Sequence, residues 1–116
     1  MKKTIALDFD GVLHRYDSKW TTEEVISDGP VEGMAEACRT LLAAGYELVV
    51  YSTRAKTESG REAMKMWLEQ FDFPPMPCSH EKPLAIIYVD DRAVRFMGSA
   101  EKMLADIKRC QNAWNK

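Results

Sequence analysis

Two stretches near the start and middle of the chain are apolar at successive positions rather than alternate ones: Ile5-Ala6-Leu7 within Thr4 to Phe9, and Leu48-Val49-Val50-Tyr51 after Glu47. A strand with one wet face alternates with period two, so runs this continuous predict central strands covered on both faces, as in a parallel sheet. A later run, Ala85-Ile86-Ile87-Tyr88-Val89, has the same character. Between the first two runs the period becomes helical. Met34, Ala37, Cys38, Leu41 and Leu42 recur on one side, with Pro30 near the start and Gly45 just past the end. Met64, Trp67, Leu68 and Phe71 form a second stripe, opened by Ser59 and Glu62 as a capping box and stopped by Pro74 and Pro75. A third helix is expected from near Ser99, with Met103, Leu104 and Ile107 facing inward and Trp114 closing its end.

Strands alternating with helices predict an α/β fold, a three-layer Rossmann-like parallel sheet with helices on both faces, as one domain over residues 1–116. Right-handed crossovers then place the C-terminal end of every strand on one edge, beyond which open α/β sheets bind their ligands. Asp8, Asp10, Ser52 and Asp91 all fall at such ends. The segment from Leu13 to Gly29 has no period and is long for a connection, and structureless loops of more than about 12 to 15 residues are usually functional or disordered. Its Tyr16 and Trp20, with Arg15 and Lys19, either cover a substrate or pack on the sheet edge.

Length and charge narrow the partners. A chain of 116 residues buries a sizeable core without staples. A formal net charge of −2 does not imply nucleic acid, although a local basic patch remains open. The apolar stretch after Lys2-Lys3 is cut short by Asp8, so the opening reads as strand rather than secretory signal, and no membrane partner is expected. Cys38, Cys78 and Cys110 are an odd number without CxxC spacing and read as reduced thiols of a cytoplasmic protein. Cys78 and His80 lack the second ligand pair that a zinc site needs.

The chemistry begins with carboxylates. The first apolar run leads into Asp8-Phe9-Asp10-Gly11-Val12 and the third into Asp90-Asp91. Neighbouring parallel strands would deliver four acids to one edge. Two carboxylates about 4 Å apart repel by roughly 4 kcal/mol at an effective dielectric of ~20, so either pKa values rise or a cation binds. Oxygen ligands of this kind suit Mg²⁺, which is held by a few carboxylates, waters and substrate phosphate, and this points to phosphoryl chemistry.

These residues resemble the haloacid dehalogenase (HAD) superfamily of aspartate-nucleophile phosphohydrolases over most of the chain. The first motif is Asp8-Phe9-Asp10-Gly11-Val12, the second Val49-Val50-Tyr51-Ser52-Thr53-Arg54, and the strand ending in paired acids Val89-Asp90-Asp91-Arg92. The likeness extends to small capless phage or bacterial members, through the stretch opening on Asp8, Tyr51 to Arg54, Lys82-Pro83, and Val89 to Phe96. The resemblance implies a HAD-like fold with no cap domain. It implies Asp8 as nucleophile, forming an aspartyl-phosphate, and Asp10 as the acid that protonates the leaving oxygen and then activates water. Asp10 would then need a pKa well above that of Asp8. Mg²⁺ would sit among Asp8, the Asp10 carbonyl, Asp91 directly and Asp90 through water. Ser52 and the backbone N–H groups of Gly11 and Thr53 would hold phosphoryl oxygens, and Arg54 would orient substrate or pair with Asp90.

The lysine that usually neutralises nucleophile and phosphate fits less simply. Lys82 precedes Asp91 by only nine residues. An extended path would leave it more than ~20 Å from the acids, so it reaches them only if the chain doubles back. Otherwise Lys82-Pro83 is a solvated turn, and Lys56 or Arg54 supplies the charge. His14 either faces the cleft or is a surface or core residue, and His80 stays open too.

The expected activity is a Mg²⁺-dependent phosphomonoester hydrolase. An open site would admit a phosphorylated small molecule, a nucleotide or an oligonucleotide, so a polynucleotide 3′-phosphatase or nucleotidase stands beside it, as does a lid supplied by a homo-oligomeric neighbour. A receiver-like phospho-acceptor module is the alternative of another class, although receivers carry their paired acids after the first strand, the reverse of the order here. A non-catalytic interaction module is a third.

Overall fold

The computed structural model describes residues 3–114. Its core is a parallel four-stranded sheet in the order β3-β2-β1-β4. The strands are β1 (Thr4–Asp8), β2 (Glu47–Tyr51), β3 (Cys78–Ser79) and β4 (Ile87–Val89), and the helices α1 (Met34–Ala43), α2 (Glu58–Gln70) and α3 (Ala100–Trp114). The two continuous apolar runs are the two central strands. In register Ile5 lies beside Leu48 and Leu7 beside Val50, while on the other side Leu7 lies beside Val89.

Successive side chains of a strand point to opposite faces. Ile5, Leu7, Leu48 and Val50 share one face and join Cys38 of α1 and Met64, Trp67 and Leu68 of α2 in one buried cluster with Phe9, Leu13, Phe73 and Met76. Both helices therefore cover the same face, as two right-handed crossovers running in one direction must. Ala6, Val49 and Tyr88 point the other way.

The α2 start differs from the sequence expectation. Thr57 is the N-cap, its hydroxyl accepting from Gly60 N at 3.0 Å, and Ser59 lies inside the first turn, donating to Glu24 Oε1 at 3.3 Å. The Ser59–Glu62 capping box is thus not formed, because the turn Thr53–Lys56 hands the chain to the helix two residues earlier. The end falls as expected, before Pro74 and Pro75. At α3 the start is also as expected, with Ser99 Oγ accepting from Lys102 N at 3.1 Å, but its stripe does not face inward. Leu104 and Ile107 are exposed, and α3 makes no extended contact with another helix or strand. The side chain of Trp114 lies outside the described residues. Cys38, Cys78 and Cys110 are free thiols. Among the described residues no helix is long and apolar enough to cross a membrane.

Candidate active site

The C-terminal ends of β1 and β4 are adjacent, and this places the acids. Asp8 is the last residue of β1, and Val89, paired with Leu7, leads into Asp90 and Asp91. One ligand oxygen from each of Asp8, Asp90 and Asp91 lies within 4.8 Å of the others. Gly11 makes the meeting possible. It turns the chain at φ +91°, where side chains are disfavoured, and a Cβ there would overlap Asp91 Oδ2.

Crowding appears as a displaced titration. Burial first, then a hydrogen bond with Asp91 and the charges of Asp90 and Asp91, push the Asp8 carboxyl up to about 8. Asp90 goes the other way. Burial would raise it, but the Tyr51 hydroxyl at 2.6 Å, the Arg92 N–H at 2.8 Å and the charges of Lys82 and Arg92 hold it below the ordinary carboxylate range. In return, burial and the Asp90 carboxylate push the Tyr51 phenol upward.

Asp10 faces a different set of groups. Arg54 Nε donates to both its oxygens, at 3.1 and 3.0 Å, and His14 Nδ1 lies 2.8 Å from Oδ1. Burial raises the Asp10 carboxyl, yet the bonds from His14 and Arg54 outweigh it and hold the net value low. The order expected for the two acids is reversed: Asp8 is the high one and Asp10 the low one. The cause is that the Arg54 guanidinium and the His14 Nδ1–H both turn to Asp10. His14 is a core residue, 1% exposed and stacked on Phe9. Its Nε2 accepts from Asp28 N at 3.1 Å, so the ring proton sits on Nδ1 and is donated to Asp10.

Arg54 is likewise 1% exposed. It pairs with Asp10 rather than Asp90, and its Nη1 donates to the carbonyl oxygens of Thr22, Glu23 and Val25 at 3.1, 3.0 and 2.9 Å. The Trp20 ring lies 4.2 Å from the guanidinium carbon. The aperiodic loop is therefore organised around one buried cation. Its ends close where Arg15 N donates to Gly29 O at 2.9 Å, and Asp28 accepts from the backbone of Asp17 and Ser18.

A cleft of about 430 Å³ opens at this edge, lined by Asp8, Asp10 and Asp90 together with Ser52, Thr53 and Lys82. Arg92 adds positive charge to the wall, His80 an imidazole, and Tyr16, Trp20 and Tyr51 aromatic surface. Ser52 is buried at the end of β2, its Oγ accepting from Arg54 N at 3.1 Å, which leaves its own O–H to donate. Lys82 arrives by the doubling back that the sequence required. It follows the end of β3, which lies on the same edge, and only then does the chain return to the start of β4, where Ile86 N donates to Thr4 O at 2.9 Å. Its Nζ sits 4.5 Å from the Tyr88 ring centroid and 5.7 Å from that of Tyr51.

Two expected contributors are turned elsewhere. The Gly11 N–H donates to His14 O at 2.7 Å, closing the turn after β1, and Arg54 turns its Nε to Asp10 and its Nη1 to the loop. Tyr51, as the partner of Asp90, was not singled out by its sequence, because a phenol at the end of an apolar run looks like core. Chemically the arrangement offers a carboxyl group beside two further acids, a hydroxyl donor and the Lys82 ammonium. The chain matches no protein-family model and no curated protein, so the functional reading rests on this geometry.

Proposed function

We propose that the chain is a HAD-like phosphohydrolase that cleaves phosphomonoesters through an aspartyl-phosphate on Asp8. The observation that carries this reading is the convergence of Asp8, Asp90 and Asp91 within 4.8 Å, on an edge that Ser52 and Lys82 also line. The donor set fits Mg²⁺: all-oxygen, anionic, and crowded enough to push Asp8 up to about 8 in its absence. Asp8, Asp90 and Asp91 would hold the ion, which would supply the positive charge that offsets nucleophile and phosphate together.

The chain's own residues do the rest. Ionised Asp8 attacks phosphorus and the ester P–O bond breaks, the leaving oxygen taking a proton from Asp10. Water then attacks the phosphoryl group, gives its proton to Asp10, and the bond to Asp8 breaks. Ser52 donates to a phosphoryl oxygen and Lys82 balances its charge. On this reading the fold is the capless form of that family. The aromatic and cationic wall of Tyr16, Trp20, His80 and Arg92 favours nucleotide or oligonucleotide phosphates over small sugar phosphates.

One observation favours a second reading. Asp10 is held as an anion by Arg54 and His14, which slows its acid step and suits a phospho-acceptor module with a long-lived adduct. One experiment separates the two. With an aryl phosphate and Mg²⁺, the hydrolase releases phosphate over many turnovers, and Asp8→Asn and chelator each abolish release. A single burst with an acid-stable, minutes-long phosphoprotein supports the module instead. Turnover that survives full chelation overturns both.

A further inference from the structure

The third of the chain that follows Pro83 is built unlike the rest. Of the large hydrophobic side chains left exposed, most fall between Leu84 and Ile107. Leu84 is 88% exposed, Phe96 and Leu104 each 64%, and Ile86, Ile87, Tyr88, Val89, Met97 and Ile107 are all open. Every residue of β4 is exposed, although its partners in the central strand, Ile5, Ala6 and Leu7, are buried. α3 carries an apolar stripe at helical spacing, Met103, Leu104, Ile107 and Cys110, and among the described residues it makes no extended contact with another helix or strand. Its polar side is internally neutralised, Asp106 pairing with Lys102 and Arg109.

A strand lacks a helix, and a helix lacks a strand. The overall dimensions carry the same mark. The radius of gyration is 15.0 Å, against about 13.4 Å for a compact chain of this length. We propose that a second copy of this chain covers these faces: α3 of each protomer lies across β4 of the other in a two-fold dimer.

The exposed side chains from Leu84 to Ile107 present roughly 1,000 Å² per copy, about twice what a monomer ordinarily leaves in one apolar region. Two copies together bring the amount that a stable interface needs, about 1,200 to 2,000 Å². Reciprocal exchange covers both faces at once, whereas pairing of β4 edge to β4 edge would leave α3 bare. The same two faces exist on each copy, so the contact is self-complementary and closes after two subunits. A formal net charge of −2 per chain opposes this association little. The inference is independent of the catalytic reading, since it uses none of the acids.

The test uses the whole 116-residue chain. Light scattering with size exclusion at tens of micromolar is expected to give twice the 13.2 kDa of one chain. Leu104→Glu with Ile107→Glu is expected to give the single-chain mass with unchanged circular dichroism. Should that variant aggregate, a cross-link decides. Ile87→Cys with Leu104→Cys, in a Cys110→Ser background, is expected to oxidise to a covalent dimer joining those two positions. A disulfide within one chain means that α3 folds back on its own β4 and overturns the proposal. A wild-type monomer overturns it too, as does a dimer that survives both glutamates.

Discussion

At the scale of single residues, Asp8, Gly11 and Arg54 carry the argument, each in a way that a substitution isolates. Replacing Asp8 with Asn removes the proposed nucleophile, and on that reading phosphate release is expected to fall by about 10³-fold or more, measured as kcat on an aryl phosphate. Gly11→Ala leaves every acid in place but drives a methyl group into Asp91 from a backbone angle that disfavours it. The expected result is a folded protein whose melting temperature no longer rises with Mg²⁺; an unchanged Mg²⁺ response would mean that Asp91 is not part of the metal set. Arg54 is different in kind. It is buried, ion-paired to Asp10 and bonded to three loop carbonyls, so Arg54→Met strands a carboxylate and several acceptors together. Breaking a buried pair from one side costs about 3–5 kcal/mol, and that loss should appear in the urea midpoint at unchanged m-value. A loss below about 1 kcal/mol would show that water replaces the guanidinium freely.

At the scale of elements, legibility followed the length of the apolar pattern. β1 and β2 were readable because central strands must be apolar at successive positions, and both occupy the centre of the sheet. β3 was not. Two residues, Cys78–Ser79, hold no period, and only their parallel pairing with Val50 and Tyr51 of β2 makes them a strand. Missing β3 is also what made Lys82 look misplaced, since its position was judged against β4 instead of the strand it follows. The α2 cap was misjudged by two residues because Ser59-Glu62 satisfies the pattern as well as the residues that form the true start do. Thr57→Ala should therefore cost about 1 kcal/mol in thermal or urea unfolding, while Ser59→Ala should cost only a few tenths. Equal losses would return the cap to Ser59. The α3 stripe was read correctly as periodic and wrongly as packed, because a period tells which side is apolar and not what covers it. In the site, the acids and Ser52 were legible from their places after strands, whereas Lys82 stayed open because β3 was not foreseen. The commitment of Arg54 and His14 to Asp10 was not, because it depends on a loop with no pattern at all.

At the scale of the whole molecule, stability and the site share one quantity, the ionisation of Asp8. Its carboxyl is held at about 8 in the folded chain against an ordinary 3.8. Between those values the native state binds more protons than the unfolded state, so the metal-free protein loses stability as pH rises through that window, the loss being complete above the upper value. Asp10 and Asp90 act in the opposite sense, since lowered carboxyls stabilise above their unfolded value and lose that contribution only in more acidic solution. From pH 5 to pH 8 the Asp8 contribution therefore sets the slope among these acids. A divalent ion that binds the ionised cluster stabilises the fold in proportion to the logarithm of its concentration over Kd. The melting temperature in chelator should accordingly fall from pH 5 to pH 8, and the increment given by millimolar Mg²⁺ should grow over the same range. In Asp8→Asn the fall should flatten, and at pH 8 in chelator the variant should melt above the wild type, because a buried charge with no partner has been removed. A wild-type profile that is flat in chelator, or a variant that declines alongside it, would mean that the carboxylates at the ends of β1 and β4 do not crowd one another. The case for a cation among them would then lose its physical basis.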